Sequence, residues 1–158
     1  MEIVRIPHMQ KREYDRLIEE NHLCRIAFQG EDGPYIAPFM YTFDGRYLYF
    51  LSTKYGKKIA LFQKNPSVAV EIERYAPDLS IYTFITLRGR LEEIGGAGAK
   101  KSIREGFARM IRSRNLSPSI MAALGHDPMD PPEALARGDR TMVWKLTGVR
   151  EIVALKNV

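Results

Sequence analysis

Apolar residues recur at every second position in a series of short runs, and only a few residues join most of these runs. In Leu23–Gln29, Cys24, Ile26 and Phe28 share one face while Arg25, Ala27 and Gln29 share the other. A period of two belongs to a half-buried strand. Glu31-Asp32-Gly33-Pro34 turns the chain into a second run, Tyr35–Phe43, and Asp44-Gly45 is a two-residue hairpin signal into a third, Arg46–Ser52. Ser67–Tyr75 alternates again, with Val68, Val70 and Ile72 facing inward. Ser80–Ile94 is rich in Thr, Tyr, Ile and Phe, and Gly89 in its middle marks a bulge or a close backbone approach. Thr141–Leu155 supplies a last strand with Met142, Trp144 and Leu146 on one face. Parallel strands need crossovers of about a dozen residues or more, which most of these connections are too short to supply. Six antiparallel strands are therefore expected, closed into a small barrel that protects their edges.

Helices flank the strands. Residues 11–21 place Tyr14, Leu17 and Ile18 at helical spacing, and residues 55–64 read as a short helix ended by Asn65-Pro66. Gly95–Ala99 reads as a flexible joint, followed by a helix over 100–114 with Ile103, Phe107 and Ile111 in one stripe. Residues 115–139, with four prolines, read as a loop with one short helix around Ile120–Leu124. The expected fold is mainly β with flanking helices, a single domain over residues 1–158.

The formal net charge of +5 points first to a polyanion partner. Its distribution argues otherwise. The excess lies in two stretches, Lys54–Lys64 and Lys100–Arg114, and the remainder of the chain is slightly acidic. A single cysteine, Cys24, leaves no internal disulfide and no cysteine-clustered zinc site. His8, His22 and His126 lie far apart, so no metal is expected. No apolar run approaches membrane-spanning length, and the first residues lack the basic-then-apolar pattern of a signal peptide. A cytoplasmic protein is the expectation.

Chemistry is most visible in Leu51-Ser52-Thr53-Lys54-Tyr55-Gly56-Lys57-Lys58-Ile59. Two hydroxyls end a strand, a glycine permits a sharp turn, and two lysines open a helix. A helix start carries partial positive charge and free N–H groups, which disfavours lysine unless an anion sits there. Solvated surface lysines are the alternative. Pro38, in Pro34–Tyr41, has no N–H to give a ladder, so a neighbouring strand is absent or interrupted beside it. That edge could meet a flat polar ligand, or its apolar residues could simply pack inward.

Together, PYIAPFMYTFDGRYLYFLSTKYGKKIALFQKNPSVAVEIE and ITLRGRLEEI resemble the FMN-binding split barrels related to pyridoxamine 5′-phosphate oxidase. The resemblance implies a six-stranded antiparallel split β-barrel, FMN as cofactor, and a homodimer with the flavin at its interface. It implies that Ser52, Thr53, Lys57 and Lys58 hold the flavin phosphate, and that the ring lies along Pro38, Phe39, Met40 and Tyr41. Arg88 and Trp144 resemble the groups a partner subunit brings to the flavin. As alternatives, Trp144 is a core residue and Arg88 pairs with Glu71 or Glu73 across strands. Two departures separate this chain from true pyridoxamine phosphate oxidases. Ala37–Tyr41 lacks their Arg-to-Lys pattern, and the chain lacks their Arg-Leu-x-Pro ending. The likeness is closer to the nitroimidazole-resistance-type reductases. The functional expectation is an FMN-dependent oxidoreductase acting on a small molecule; alternatives are a non-catalytic flavin-sensing module and a basic barrel that binds RNA.

Other signals carry less. GGAGAKKS lacks the Gly directly before Lys-Ser of a phosphate loop. Glu71 and Glu73 read as an exposed strand face, and Cys24 as core packing. The basic helix 100–114 lacks interleaved aromatics and reads as a solvated face, so nucleic acid is not the expected partner. No acid–base dyad emerges, and no catalytic residue is assigned.

Overall fold

A computed structural model of the chain describes residues 1–157; Val158, the last residue of the expected domain, lies outside them. Helix α1 (Lys11–Glu20) leads into strands β1 (Leu23–Gly30), β2 (Gly33–Phe43) and β3 (Leu48–Thr53). After α2 (Lys57–Lys64) come β4 (Ser67–Tyr75) and β5 (Tyr82–Glu93). Helices α3 (Ala97–Ser113) and α4 (Ile120–Ala123), with a 3-10 turn over Pro132–Ala136, precede β6 (Thr141–Lys156). The strands close in the order β1-β2-β3-β6-β5-β4, all pairs antiparallel. This is the expected six-stranded split barrel.

The split lies along β2. Every residue of β2 up to Met40 pairs with β1, but β3 joins it only over Tyr41–Phe43. Gly33–Met40 therefore has a strand on one side only, as Pro38 foretold.

Strand alternation builds two cores from β3 and β6. The pair Phe50 and Trp144 points into the barrel with Phe28, Phe39, Val70 and Ile85, while its neighbours Leu51 and Val143 point outward. On that outer face Phe107 and Ile111 of α3, Met121, Leu124 and Leu135 form a second core. The segment after α3 is thus fastened to the barrel wall rather than loose over it.

Local corrections have physical causes. The hairpin loop is Asp44–Tyr47, longer than the two residues expected, because the Asp44 carboxylate accepts from the N–H groups of Arg46 (2.8 Å) and Tyr47 (2.6 Å). Helix α3 absorbs Ala97–Ala99, leaving Gly95-Gly96 as the joint. Arg88 pairs with Glu151 of β6 at 3.4 Å, because its neighbour on β4 is Ala69; Glu73 pairs with Arg25 at 2.7 Å. Gly89 sits at a bulge where an added Cβ would lie 2.7 Å from the Thr147 carbonyl oxygen. Bulge and close approach coincide.

Much of the basic charge of α3 is answered within the chain. Arg104, buried, donates to Thr141 and Asp139, and Asp139 also receives Lys54 and Lys100, each at 3.1 Å. Arg112 pairs with Glu133, and Arg114 with carbonyls at the end of α1. Among the described residues no helix is long and apolar enough to cross a membrane, and no cluster of three His, Cys, Asp or Glu side chains could hold a metal.

Candidate functional site

The unpaired edge of β2 faces a cavity of about 440 Å³. Pro38, Phe39 and Met40 form one side with Leu51 of β3, and Lys58 reaches in from α2. Leu116, Ile120, Ala123 and Leu124 from the segment after α3 supply an apolar wall opposite, and His22 closes one end. A larger concavity of about 960 Å³ beside α1 is a groove of mostly paired charges, among them Lys11 with Asp15, Arg74 with Glu20 and Lys156 with Glu13. It has no comparable unmet valence.

Lys58 does. Its Nζ lies 5.1 Å from the centre of the Phe39 ring, half-buried, and no ion pair among the described residues includes it. Burial lowers its pKa from the ordinary lysine value. Helix α2 begins after Gly56, whose φ of +105° gives the sharp turn, with no side-chain cap and no acid in its first turn. The half-buried lysine and the helix N–H groups therefore add positive charge at one point.

The adjacent Lys57 diverges. Successive helix residues are rotated about 100° apart, and Lys57 Nζ lies 5.0 Å from the Tyr35 ring in a separate cavity by the β1–β2 turn. Ser52 is fully buried, its hydroxyl donating to the Thr53 carbonyl at 2.9 Å. The Thr53 hydroxyl makes only a long 3.4 Å bond to the Tyr55 carbonyl, weak enough to be exchanged for a better acceptor. Tyr41 is committed elsewhere: its hydroxyl donates to the Ile18 carbonyl at 2.7 Å and its N–H to His22 O. Burial raises its pKa.

The structure brings Pro38, Phe39, Met40 and Lys58 to one cavity; Ser52 and Thr53, buried at the end of β3, and Tyr41 and Lys57 do not line it. It does not bring Trp144 there. Trp144 shares the inward face of β6 and is fully buried, with ring centres 4.9 Å from Phe62 and 5.8 Å from Phe39. It stands behind Phe39 as a core residue, which corrects the expectation of a group presented to a partner's ligand. Arg88 is exposed on β5, away from this chain's cavity.

Sequence reasoning missed the apolar wall and His22. The wall was legible as a short helix, but its docking depends on α3. His22 follows the helix stop Asn21 and sits beside Tyr41 through a backbone bond. Burial, then the Arg114 guanidinium, lowers its pKa. His126 is also buried, with both ring nitrogens unbonded and Nδ1 3.7 Å from Asp130; burial, then Arg140, lowers its pKa.

A six-stranded barrel opened along one strand, with an uncapped helix start at the opening, defines a split-barrel protein with a cleft lined, among the described residues, by one lysine and no carboxylate. The chain belongs to the pyridoxamine 5′-phosphate oxidase family, whose sequence model matches residues 10–136. It is 30% identical over 86 residues to the uncharacterized protein RA0666 of Rhizobium meliloti (strain 1021). That alignment covers 54% of this chain and 56% of the relative, so the chain spans about half the length of the curated relative it matches. Among solved structures it is similar to a FAD-binding protein from Mesorhizobium loti, with a TM-score of 0.71 and 18% identity over 98% of this chain and all of that one. A candidate 5-nitroimidazole antibiotic resistance protein from Bacteroides thetaiotaomicron gives a TM-score of 0.63 and 19% identity, covering 96% and 90% of the two chains. At such identities these likenesses establish the fold.

Proposed function

We propose that the protein binds FMN in the β2 cavity and, as a homodimer, passes electrons or hydride between the flavin and a small-molecule substrate. The observation that carries this reading is Lys58: a half-buried ammonium without a carboxylate partner, at an uncapped helix start beside an open strand edge. A flavin fits these residues. Lys58 and the α2 N–H groups answer one phosphate, with Thr53 free to turn toward it, while Lys57 stays over Tyr35 and is not needed for it. The unpaired edge at Pro38–Met40, with Phe39 and Leu51, offers polar backbone and apolar surface to a ring. The wall of Leu116, Ile120 and Leu124 excludes water. Family membership and the fold shared with a protein described as FAD-binding support the flavin; a single phosphate-accepting turn favours FMN.

The flavin supplies the redox chemistry when bound, so the chain itself needs only to bind, orient and shield it. Dimer formation is supported by the outward face of the sheet. There Ile36 and Ala27 lie in one cross-strand row with Ala69 and Arg88, and Leu23 and Ile36 are more than half exposed. Arg88 on that face would approach a partner's cavity. The RNA reading loses support because Arg104, Arg112 and Arg114 are already engaged within the chain.

Incubation with FMN, FAD or riboflavin, followed by gel filtration and acid extraction of bound flavin, tests the reading. FMN is expected to be retained at one per chain on a dimer, and the loaded protein to be reduced by a nicotinamide cofactor and reoxidised by a quinone or nitroaromatic. Retention without turnover would favour a flavin-sensing module; no retention would overturn the proposal.

A further inference from the structure

His22 has no role in the reading above, yet its surroundings leave it one protonation state. Arg114 follows α3 and is held by the end of α1: Nη1 donates to Glu20 O at 2.8 Å and Nη2 to Glu19 O at 2.6 Å. Helix carbonyls at a C-terminus lack intrahelical partners and favour a cation, so this guanidinium is fixed in place. Its Nη1 also lies 3.3 Å from His22 Nδ1. A guanidinium has only donors, so Nδ1 must accept. A neutral imidazole carries one hydrogen, which then sits on Nε2. Protonation is opposed by the Arg114 guanidinium, and the cavity that His22 lines contains Lys58 and, among the described residues, no carboxylate. The ring is half-buried and its pKa is lowered, first by burial and then by Arg114.

We infer that His22 is a fixed Nε2–H donor at the end of the β2 cavity, that it holds an acceptor atom on the edge of the bound flavin ring, and that Arg114 is the residue that positions it. The inference rests on the flavin reading. It adds a ring-edge contact independent of the phosphate, on the same side as Pro38–Met40, where the ring is assigned. His22 is anchored there by its own backbone, which accepts from Tyr41 N–H at 3.0 Å. The donor suits a carbonyl oxygen or an unprotonated ring nitrogen and rejects a cationic ligand edge.

Nitrogen-15 NMR of the flavin-free protein reads the tautomer directly. The expected state at pH 7 is neutral with hydrogen on Nε2, and added FMN should shift that nitrogen. Removing one neutral hydrogen bond in His22→Phe should weaken both FMN and riboflavin by roughly threefold to tenfold, and His22→Gln, which keeps a donor, should recover most of the loss. An imidazolium or an Nδ1–H tautomer at pH 7 would overturn the inference whatever the protein binds. Equal affinities of wild type and His22→Phe for both flavins would overturn it while leaving the flavin reading intact. Loss of FMN affinity alone, with riboflavin unaffected, would move the contact to the phosphate and also overturn it. Failure of the wild type to bind either flavin would remove the proposed function and this inference together.

Discussion

Replacing Lys58 by Gln separates binding from stability. In the flavin-free protein the ammonium is half-buried without a carboxylate, and its contact with the Phe39 ring at 5.1 Å is its visible compensation. A cation–π contact of about 0.5–1 kcal/mol offsets part of the desolvation cost, so the substitution should change flavin-free stability by less than about 1 kcal/mol. Flavin binding should respond differently. A hydrogen bond to a charged group is worth about 1.5–3 kcal/mol, and each 1.4 kcal/mol is a factor of ten, so FMN affinity should fall roughly 10- to 150-fold. At 100 times its Kd, FMN stabilises the wild type by about 2.7 kcal/mol. For a chain of 158 residues that is a Tm rise of about 5–10 °C. At the same FMN concentration the variant should keep only about 0.3–1.4 kcal/mol, or about 1–5 °C. Differential scanning fluorimetry with and without FMN measures both quantities. An undiminished FMN-induced shift, or a flavin-free protein that has lost its cooperative transition, would refute the reasoning.

Trp144→Ala should cost about 3–5 kcal/mol because the ring is fully buried among Phe28, Phe39 and Phe62, whereas Trp144→Phe, which also removes an unbonded N–H, should cost about 1–2 kcal/mol. Urea titration checks the pair, and FMN affinity of Trp144→Phe should stay within about twofold of wild type, since the ring is core rather than a ligand contact. Gly89→Ala should lose about 1–3 kcal/mol in the same assay, because its Cβ would press on the Thr147 carbonyl oxygen at 2.7 Å; equal stability would show that the bulge yields freely. Stability should also fall as pH drops below 6.5. His126 sits among Arg140, Asp130 and Arg104 and binds its proton less readily folded than unfolded, so the unfolded state takes up more protons below its ordinary value of 6.5. Thermal melts between pH 7.5 and 5 should show a steeper decline for wild type than for His126→Phe, and parallel curves would contradict this. A second decline belongs below pH 4.5, where Glu133, held down to about 2 by Arg112, and Asp139, held low by Arg104, Lys54 and Lys100, regain protons.

The strands were legible because each alternates against a buried face: Cys24, Ile26 and Phe28, or Val68, Val70 and Ile72, are inward in the structure as their spacing required. Pro38 and Gly89 were legible for a different reason, since a missing N–H and a missing Cβ each restrict what neighbours can do. The loop Asp44–Tyr47 is longer than its Asp-Gly signal suggests because a side chain, not the backbone, closes it. At the site, the sequence reached the strand–turn–helix that presents Lys58 but not the divergence of Lys57, which depends on where the β1–β2 turn places Tyr35. Trp144 illustrates the limit of alternation. Its face was read correctly, but the inward face of β6 turns out to be the barrel interior. His22 and Arg114 are 92 residues apart, and only the docking of α3 against the end of α1 joins them.

A flavin site along β2 should reveal itself on simple addition of the cofactor. Adding FMN to the purified protein and following quenching of flavin fluorescence to equilibrium tests this most directly. Saturation is expected at one FMN per chain, with a complex that keeps its yellow colour through gel filtration. Fluorescence that stays that of free FMN at every protein concentration, with a colourless protein peak, would contradict it.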